Sequence, residues 1–279
     1  MPLRIAHLGP PGTFTEEATL RYAPDATLLP LPSVAAAAEA VDAGMADEAV
    51  VAIENSLDGS VNDTLDLLIH ESTLRIRREL VLPIEQWLLG KPGTQVTDIK
   101  VIYSHPQALG QCRRFLQRCF PQAQAMASLS TTAAVHDAMA SPVPAAAISP
   151  RRAAALYGAE ILAKAIQDYP NNETRFVVLA VTDHDPTGAD KTSLCFSFAE
   201  DHPGQLVAVL SEFAERNINL AKVESRPTKT ELGRYVFLLD CEGHRLDPIV
   251  AAALAQAQAR TSLFKVFGSY PRWMENRAS

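Results

Sequence analysis

Up to about Val181, the hydrophobic positions form short β-branched apolar runs that alternate with alanine-rich segments. Short apolar runs bounded by turn residues are typical of buried strands, whereas longer alanine-rich segments favour helices. The pattern predicts strands in RIAHLG, AVVAIEN, RIRRELVLPIEQWLLG, IKVIYS, PAAAIS and TRFVVLAV, and helices in TEEATLRYA, VNDTLDLLIHES, QALGQCRRFLQRC, TAAVHDAMA and RRAAALYGAEIL. This alternation predicts an α/β layered architecture. LVLPIEQWLL departs from it and is a candidate crossover into a second lobe.

A polar segment with proline and glycine, residues 182–191, is interpreted as a linker. Its Asp183, His184 and Asp185 could suggest a metal site. The segment lacks the distal glutamate of a calcium loop, so a solvated linker is the preferred interpretation. From residue 192 to residue 279 the order of strands and helices is βαββαβ, which predicts a ferredoxin-like unit.

The composition narrows the classes of function. The chain has 279 residues, of which 47% are hydrophobic and 20% charged, with a net charge of −7. An acidic chain has no basic surface for nucleic acid or anionic membrane, so an anionic ligand would need local groups. The N-terminus lacks an export signal, and no apolar run approaches the roughly 20 residues that span a bilayer. We therefore expect a cytoplasmic protein with neither nucleic-acid nor membrane partners.

The spacing of the four cysteines does not indicate a metal site or a redox motif. Cys112, Cys119, Cys195 and Cys241 show no CxxC spacing. In a cytoplasmic chain of this length such cysteines are expected to be reduced, buried thiols.

Five predicted helices begin with a hydroxyl residue that follows a strand. The candidates are Thr13 with Glu16, Ser60 with Asp63, Ser104 with Gln107, Ser130 or Thr131, and Ser149 before Pro150. Capping alone explains each one and is worth about 1 kcal/mol per helix. Together, at the carboxyl ends of strands, they would also favour a bound anion. Without a Walker loop or GxGxxG sequence, the predicted anion is a carboxylate rather than a nucleotide phosphate.

Six motifs occur here in the order found in prephenate dehydratases. They are GPPGTFTEEA, AIENSLDGSVNDTLDLL, YSHPQALGQC, STTAA, YGAEILAKAIQDYPNNETRFVVL, and HPGQLV followed by ESRP. The chain resembles, from end to end, a monofunctional bacterial member of that family with a C-terminal ACT regulatory domain. The resemblance implies a catalytic region, residues 1–181, with two lobes similar to type-2 periplasmic binding proteins and a site in the cleft between them. Lobe one would comprise about 1–78 and 175–181, lobe two about 79–172, and the ACT domain 192–279.

The resemblance implies conversion of prephenate to phenylpyruvate, CO2 and water in L-phenylalanine biosynthesis. Because aromatisation drives this reaction, we expect no metal, nucleotide or prosthetic group. The enzyme must orient a dianion and assist departure of the hydroxyl with a proton. In the family's TRF motif, Thr174 would assist the leaving hydroxyl, Arg175 would bind the pyruvyl carboxylate and Phe176 would form an apolar wall. The structural alternatives are a strand-forming threonine, a surface ion pair and core packing.

Other residues of the matched motifs are candidates for substrate binding: Thr13, Phe14, Asn55, Ser56, Ser104, Gln107, Ser130 and Thr131. Glu54 would repel a dianion unless it is protonated or turned away, and pairing with an arginine is an equal alternative. His105 is as well explained by packing near a helix cap. Asn171 and Asn172 would shape the turn before Thr174.

In the ACT family, the loop after the first strand and the ESRP segment bind a free amino acid at a dimer interface. The matching residues are Gly204, Gln205, Leu206, Val207, Glu224, Ser225, Arg226 and Pro227. The implied effector is L-phenylalanine, and the implied assembly is a homo-oligomer, a dimer of dimers. Gln205 departs from the common GALV pattern, which leaves the amino-acid selectivity open. The alternative is a domain that serves only for dimerisation.

Two other functions remain open at this level. Arogenate dehydratase is a close alternative, because arogenate differs from prephenate only in an amino group that replaces the keto oxygen. A non-catalytic sensor of small anions or amino acids would keep the same domains, although it has no need for the hydroxyl of Thr174.

Overall fold

The computed structural model describes residues 2–200, 202–229 and 233–273. The chain divides into two compact units, Met1–Val61 with Val81–Phe176 and Asn62–Leu80 with Val177–Ser279. Within the described ranges, no helix has both the length and the apolar character needed to cross a membrane. The domain and lobe boundaries given above remain predictions.

Strands and helices alternate through the first 180 residues, as the hydrophobic pattern predicts. The strands are β1 (Arg4–Leu8), β2 (Thr27–Leu31), β3 (Glu48–Asn55), β4 (Gly59–Ser60), β5 (Arg75–Pro83), β6 (Trp87–Gly90), β7 (Val101–Ser104), β8 (Gln124–Ala127), β9 (Ala145–Ser149), β10 (Glu160–Ala163) and β11 (Glu173–Ala180). The helices are α1 (Phe14–Tyr22), α2 (Val34–Asp42), α3 (Asn62–Asp66), α4 (Pro106–Gln111), α5 (Arg113–Cys119), α6 (Thr131–Ala140) and α7 (Arg151–Tyr157). A π-helical turn, Leu67–Glu71, follows α3, and a 3-10 turn, Val96–Asp98, precedes β7.

These strands form two sheets. The first has the order β2-β1-β3-β11-β5, with β1 parallel to β2 and β3 and with β4 antiparallel to β3. The second has the order β10-β6-β9-β7-β8, with β7 parallel to β8 and β9. Just beyond β3, the amide of Ser56 donates to the carbonyl of Glu173 over 2.8 Å. The carboxyl end of β3 and the amino end of β11 therefore meet.

Helices cover both faces of the second sheet. Successive residues of a strand point to opposite faces, so neighbouring residues can enter different cores. Leu88 and Leu89 of β6 are both fully buried, yet they belong to different cores. Leu88 packs with residues of α4 and α5, and Leu89 packs with the alanine-rich helices α6 and α7. The core side chains of α6 and α7 are mostly small alanines, so the alanine-rich segments supply the buried faces of these helices.

The C-terminal part of the second unit contains β12 (Asp190–Ser197), α8 (Gln205–Ala214), β13 (Leu220–Pro227), β14 (Tyr235–Glu242), α9 (Pro248–Ala259) and β15 (Leu263–Pro271). Its antiparallel sheet has the order β13-β14-β12-β15. The core packs Phe196 of β12 with Val209 and Phe213 of α8. This is the predicted βαββαβ arrangement, and together with the two preceding sheets it confirms the predicted fold class.

Within the second unit, β15 lies directly against β5. Gly268 has φ +153°, and a Cβ atom there would overlap the backbone of Ile76. Arg75 donates to the carbonyl of Val266, and Lys265 Nζ donates to the carbonyl of Ser72 over 2.8 Å. Only glycine accommodates this approach, because the obstacle is backbone rather than a movable side chain.

Two of the predicted helix caps are confirmed. The hydroxyl of Thr13 accepts from the amide of Glu16 over 3.3 Å, and that of Ser130 accepts from the amide of Ala133 over 2.9 Å. Ser33 also caps α2 in this way, although the sequence analysis did not identify that helix. Hydroxyl capping therefore occurs at three helix starts of the first unit.

The other three cap predictions are wrong. Ser60 lies in β4 rather than at the start of α3. Ser104 and Ser149 are the buried last residues of β7 and β9, so their positions belong to the sheet. Instead of Ser104, His105 caps α4, because its ring Nδ1 accepts from the amide of Gln107 over 3.3 Å. No side-chain cap is formed at the start of α7, where Pro150 precedes the first helical residue.

The side chain of Asp183 is only 7% exposed, whereas residues 185–188 are exposed as expected of a solvated linker. The Asp183 carboxylate lies 2.6 Å from Arg245 Nε and accepts from the amide of Ser269 over 3.0 Å. The segment therefore has a structural ion pair where the sequence suggested exposed charge.

Three of the four cysteines are buried, as predicted. Burial raises the pKa values of Cys112, Cys195 and Cys241 to about 12, so these thiols stay protonated. Cys119 is exposed, and for this residue the prediction of a buried thiol is wrong.

Candidate functional site

The candidate site is built on a contact between Asn55, at the end of β3, and Thr174, near the start of β11. The two N–H groups of Asn55 Nδ2 face three acceptors, which are Asn172 Oδ1 at 2.8 Å, Thr174 Oγ1 at 2.9 Å and, at the longest distance of 3.1 Å, the carbonyl of Glu173. Asn55 and Thr174 are 6% and 8% exposed. The pairing of β3 with β11 thus brings two residues from distant motifs into one buried hydrogen bond.

The backbone fixes the direction in which the Asn55 amide points. Its Oδ1 accepts from the amides of Leu57 and Asp58 over 3.0 Å and 3.1 Å. A backbone N–H can only donate, so the oxygen must face this turn and the NH2 group must face Thr174. The threonine oxygen is therefore an acceptor in this contact, and its own hydroxyl proton can be donated to another group.

A chain of buried amides continues this contact to the second sheet. Asn172 Nδ2 and Gln86 Nε2 each donate to Gln111 Oε1 over 3.1 Å. Gln111 Nε2 donates to Asp58 Oδ2 over 2.7 Å, and Gln107 Nε2 donates to the same oxygen over 2.6 Å. Gln107 and Gln111 lie on α4 beside the second sheet, whereas Asp58 follows β3 of the first. The network therefore joins the two sheets of the first unit.

Arg175 forms an ion pair with Glu54, the neighbour of Asn55. Their Nη1 and Oε2 atoms are 3.4 Å apart, and the side chains are 13% and 34% exposed. This pairing is the structural alternative that the sequence left open for Glu54. A guanidinium has five N–H donors, so it can pair with Glu54 and still offer donors to a ligand carboxylate.

Ser56 is held by the backbone next to this pair. Its hydroxyl accepts from the amide of Glu173 over 2.9 Å and donates to the carbonyl of Asn171 over 3.4 Å. Ser56 therefore fixes the turn before Thr174 as well as being a candidate for substrate binding.

A second group of motif residues lies where α1 and α6 begin. Gly12 has φ +90°, and a Cβ atom there would lie 3.1 Å from Thr132 Cγ2. The turn before α1 therefore packs against the first turn of α6, which brings the caps Thr13 and Ser130 to neighbouring positions. Two helix N-termini close together favour an anion, as the sequence analysis predicts.

Glu16 and α7 complete this second group. The Glu16 carboxylate accepts from the amide of Gly12 and from Arg152 Nε, each over 2.7 Å. Tyr157 donates its hydroxyl to the carbonyl of Pro11 over 2.9 Å. These contacts attach the turn before α1 to α7 and leave the charge of Glu16 neutralised by an arginine.

Several predicted site residues are placed differently. Ser104 is fully buried, and its hydroxyl donates to the carbonyl of Ile148 over 2.7 Å within the second sheet. Phe176 is 1% exposed, which favours core packing over an apolar wall. Phe14 and Thr131, the first residues of α1 and α6, are half-buried. Among the described residues, no group of three or more histidine, cysteine or acidic side chains is placed to hold a metal ion.

Asp58, Gln86 and Gln111 were not predicted as site residues, and Asn172 was predicted only to shape a turn. Gln111 and Asp58 lie inside matched motifs, so motif membership was the signal that could have identified them. Gln86 gives no such signal, since it lies in the crossover segment. Its role follows only from its hydrogen bond to Gln111.

Known families and structures match almost the whole chain. The prephenate dehydratase family model matches residues 5–184, and the ACT domain model matches residues 193–258. The chain belongs to the prephenate dehydratase family. Members of this family catalyse a decarboxylating dehydration, which is a lyase reaction, so the predicted function and enzyme class are confirmed.

Individual relatives extend over both domains. The prephenate dehydratase of Mycolicibacterium vanbaalenii is 40% identical over 284 residues, which cover 96% of this chain and 90% of the relative. The structure of prephenate dehydratase from Arthrobacter aurescens in complex with L-Phe has a TM-score of 0.89 and 40% identity, covering 97% of this chain and 90% of that one. GqqA, named as a novel type of quorum quenching acylase, has a TM-score of 0.87 and 30% identity, covering 98% and 100%. The prephenate dehydratase architecture therefore occurs with more than one named activity.

Proposed function

We propose that this chain converts prephenate to phenylpyruvate at the Asn55–Thr174 contact, with Thr174 donating a proton to the departing hydroxyl. The observation that carries the proposal is the 2.9 Å hydrogen bond from Asn55 Nδ2 to Thr174 Oγ1. Because the threonine oxygen accepts there, its proton is available for a ligand. Membership of the prephenate dehydratase family supports the choice of reaction.

The reaction requires little acid strength from the protein. As the bond to the ring carboxylate breaks, its electron pair enters the ring and CO2 departs. The C–O bond at the opposite ring carbon breaks, and the leaving oxygen takes up a proton and departs as water. A threonine hydroxyl is a weak acid, so Thr174 acts as a positioned donor while aromatisation supplies the driving force. The bond from Asn55 would stabilise negative charge that develops on Oγ1 as the proton is given.

Arg175 is proposed to hold the pyruvyl carboxylate of the substrate. It follows Thr174 directly, and bidentate pairing with a carboxylate suits its planar guanidinium. Before substrate binds, this guanidinium is paired with Glu54, which a substrate carboxylate would have to displace in part. Thr13, Ser130 and Thr131, at the starts of α1 and α6, remain candidates for further contacts with the dianion.

Substrate choice is tested by incubating the purified protein with prephenate or with arogenate and following phenylpyruvate and phenylalanine. We expect phenylpyruvate to form from prephenate. Turnover of arogenate alone would identify an arogenate dehydratase, and turnover of neither would favour a sensor. Because GqqA is named as an acylase, a third incubation should contain an acylated signalling molecule. Cleavage there without loss of prephenate would contradict the proposal.

We also propose that the C-terminal domain binds L-phenylalanine and thereby lowers the dehydratase rate. Gly204 has a left-handed backbone, φ +87°, immediately before α8, with open space around its Cα. The exposed turn allows an α-carboxylate to approach the start of α8. The side chain of Gln205 accepts from the amide of His202 over 2.9 Å, so it fixes the turn that precedes the helix. The departure from the GALV pattern thus has a local structural role.

The complex of the Arthrobacter aurescens protein with L-Phe supports this effector. Leu206, Val207, Glu224, Ser225 and Pro227 are the further candidates for binding it. Because ACT domains bind their amino acid at a dimer interface, we propose a homo-oligomer, a dimer of dimers, in the cytoplasm. Light scattering with and without L-phenylalanine tests the assembly, and a monomer under both conditions would contradict it.

A further inference from the structure

We propose that Asp58 is a positioning residue, which closes a ring of hydrogen bonds that fixes the direction of the Thr174 proton. The inference rests on the proposed role of Thr174 as the proton donor. Asp58 acts through other side chains and is not itself assigned to the reacting atoms.

The ring starts and ends on Asp58. The Asp58 amide donates to Asn55 Oδ1 over 3.1 Å, and Asn55 Nδ2 donates to Asn172 Oδ1 over 2.8 Å. Asn172 Nδ2 then donates to Gln111 Oε1 over 3.1 Å, and Gln111 Nε2 donates to the Asp58 carboxylate over 2.7 Å. Every donor in the ring therefore points in the same sense around it.

The backbone N–H and the carboxylate of Asp58 fix the direction in which all the donors of the ring point. A backbone N–H can only donate, and an ionised carboxylate can only accept. If the Asn172 amide were reversed, its NH2 group would face the NH2 group of Asn55, and its oxygen would face the oxygen of Gln111. Asn55, Asn172 and Gln111 are 6%, 0% and 8% exposed, so water can do little to compensate such a mismatch. Each amide consequently has one favourable orientation.

Thr174 is attached to this ring through Asn55. Because the Asn55 NH2 group cannot be replaced by its oxygen, Thr174 Oγ1 remains an acceptor at that position. Its proton is then directed away from Asn55 and toward the ligand. The carboxylate of Asp58 thus influences the reacting hydroxyl through three intervening amides.

The role of Asp58 depends on a hydrogen-bond acceptor rather than on charge, which suggests a matched pair of variants. Asp58→Asn keeps an oxygen that can accept from Gln111, whereas the similarly sized Asp58→Leu cannot accept. For Asp58→Leu we expect kcat for prephenate to fall at least about tenfold while KM changes less than about threefold, because misdirection affects the reacting state. Asp58→Asn should stay within about threefold of the parent kcat. Asp47→Asn, at an exposed carboxylate bonded to Arg4, is the control and should leave both constants unchanged.

A second break in the ring tests the mechanism independently. Asn172→Leu removes a different pair of bonds and should lower kcat in the same way. Because both substitutions open one ring, the double variant Asp58→Leu/Asn172→Leu should be no slower than the slower single variant. Circular dichroism and thermal unfolding establish that each variant is folded. If Asp58→Leu does not fold, Asn172→Leu compared with Asp58→Asn carries the test.

The outcomes separate this inference from the proposed function. Parent-like kcat in Asp58→Leu, or an equal loss in Asp58→Asn and Asp58→Leu, would overturn the ring. So would a change confined to KM, which would indicate direct substrate contact. If the fold-decrease in kcat of the double variant equalled the product of the decreases in the two single variants, that would also overturn the ring. Parent-like turnover in Thr174→Val would instead remove the proposed role of Thr174, and the inference would fall with it.

Discussion

Asn55 Nδ2 lies 2.9 Å from Thr174 Oγ1, although 119 positions separate the two residues along the chain. The contact exists because the end of β3 meets the start of β11 in the first sheet. Backbone amides fix the orientation of the Asn55 side chain, so its NH2 group faces Thr174 and the threonine oxygen must accept. This relationship is the physical basis for assigning the proton donor to Thr174.

Asn55→Ala tests whether this donor contributes to catalysis. Without the bond from Asn55, the hydroxyl of Thr174 loses its fixed orientation and the stabilisation of charge on its oxygen. We expect kcat for prephenate to fall about tenfold to a hundredfold. The amides of Leu57 and Asp58 also lose an acceptor, which should lower the free energy of unfolding by about 1–3 kcal/mol. The measurement is steady-state kinetics on a variant that is shown to be folded. An unchanged kcat would contradict this role of Asn55.

Glu54→Gln tests the ion pair with Arg175. Glu54 competes with a substrate carboxylate for the guanidinium and repels a dianion, so neutralising it should strengthen substrate binding. We expect KM for prephenate to fall several-fold with little change in kcat. The free energy of unfolding should change by less than about 1 kcal/mol, because the pair is long at 3.4 Å and Glu54, 34% exposed, remains accessible to water. An increase in KM would show that Glu54 instead holds Arg175 in its binding position.

The fold was largely predictable because most of its strands are buried apolar runs. The strands β2, β4 and β8 and the helix α2 were not identified, and β10 was predicted as the end of a helix. β8 lies at the edge of its sheet with all four residues exposed, and β10 occupies the opposite edge. Because β8 and β10 are exposed or half-buried, their sequences lack the continuous apolar run that marks a buried strand. In β2, Pro30 weakens the strand signal in the same way.

The site was predictable only in part, because motifs identify residues but not their partners. The resemblance gave Thr174, Arg175 and Asn55, and sheet pairing brings these residues together. The bond between Asp58 and Gln111 joins residues 53 positions apart, one in the turn after β3 and the other on α4, and no local pattern specifies it. Ser104 shows the opposite error, because its position suggested a cap while its hydroxyl serves the sheet.

His7 of β1 should make folding sensitive to acid. Burial lowers the pKa of this fully buried side chain below its ordinary value of 6.5, while a contact with the Leu8 carbonyl and the charge of Glu16 oppose the shift. The unfolded chain therefore binds this proton more readily than the folded one. The free energy of unfolding should be fully retained above about pH 6.5 and should fall as the pH drops below that value.

Urea unfolding of His7→Gln measures this contribution. Between about pH 7.5 and about pH 5.5, the variant should lose less stability than the parent, because the buried imidazole no longer has to be protonated on unfolding. His136→Gln, at an exposed position on α6, should keep the pH dependence of the parent. Equal pH dependence in His7→Gln and the parent would exclude His7 as the source.

Asp66 is expected to couple the effector domain to the catalytic region. Its carboxylate lies 2.9 Å from Arg226 Nη2 of the ESRP segment and also pairs with Lys229. Asp66 ends α3, whose chain follows directly from the segment with Asn55 and Asp58. Asp66→Asn keeps an acceptor but removes the charge that binds Arg226. We expect the L-phenylalanine concentration for half-inhibition to rise several-fold, while kcat without effector stays within about twofold.

Asp63→Asn, at an exposed position in the first turn of α3, is the matched control for that measurement. It removes an equal charge from the same helix without touching the ESRP segment. We expect it to respond to L-phenylalanine as the parent does. An unchanged half-inhibition concentration in Asp66→Asn would show that this ion pair only stabilises the second unit.

The rate of phenylpyruvate formation by Thr174→Val is the most direct test of the proton donor. Valine has nearly the shape of threonine and lacks the hydroxyl, whereas Thr174→Ser keeps it. We expect Thr174→Val to lower kcat at least about a hundredfold while remaining folded, and Thr174→Ser to stay within about tenfold of the parent. Turnover of prephenate by Thr174→Val at the parent rate would contradict the assignment of Thr174 and the site built around it.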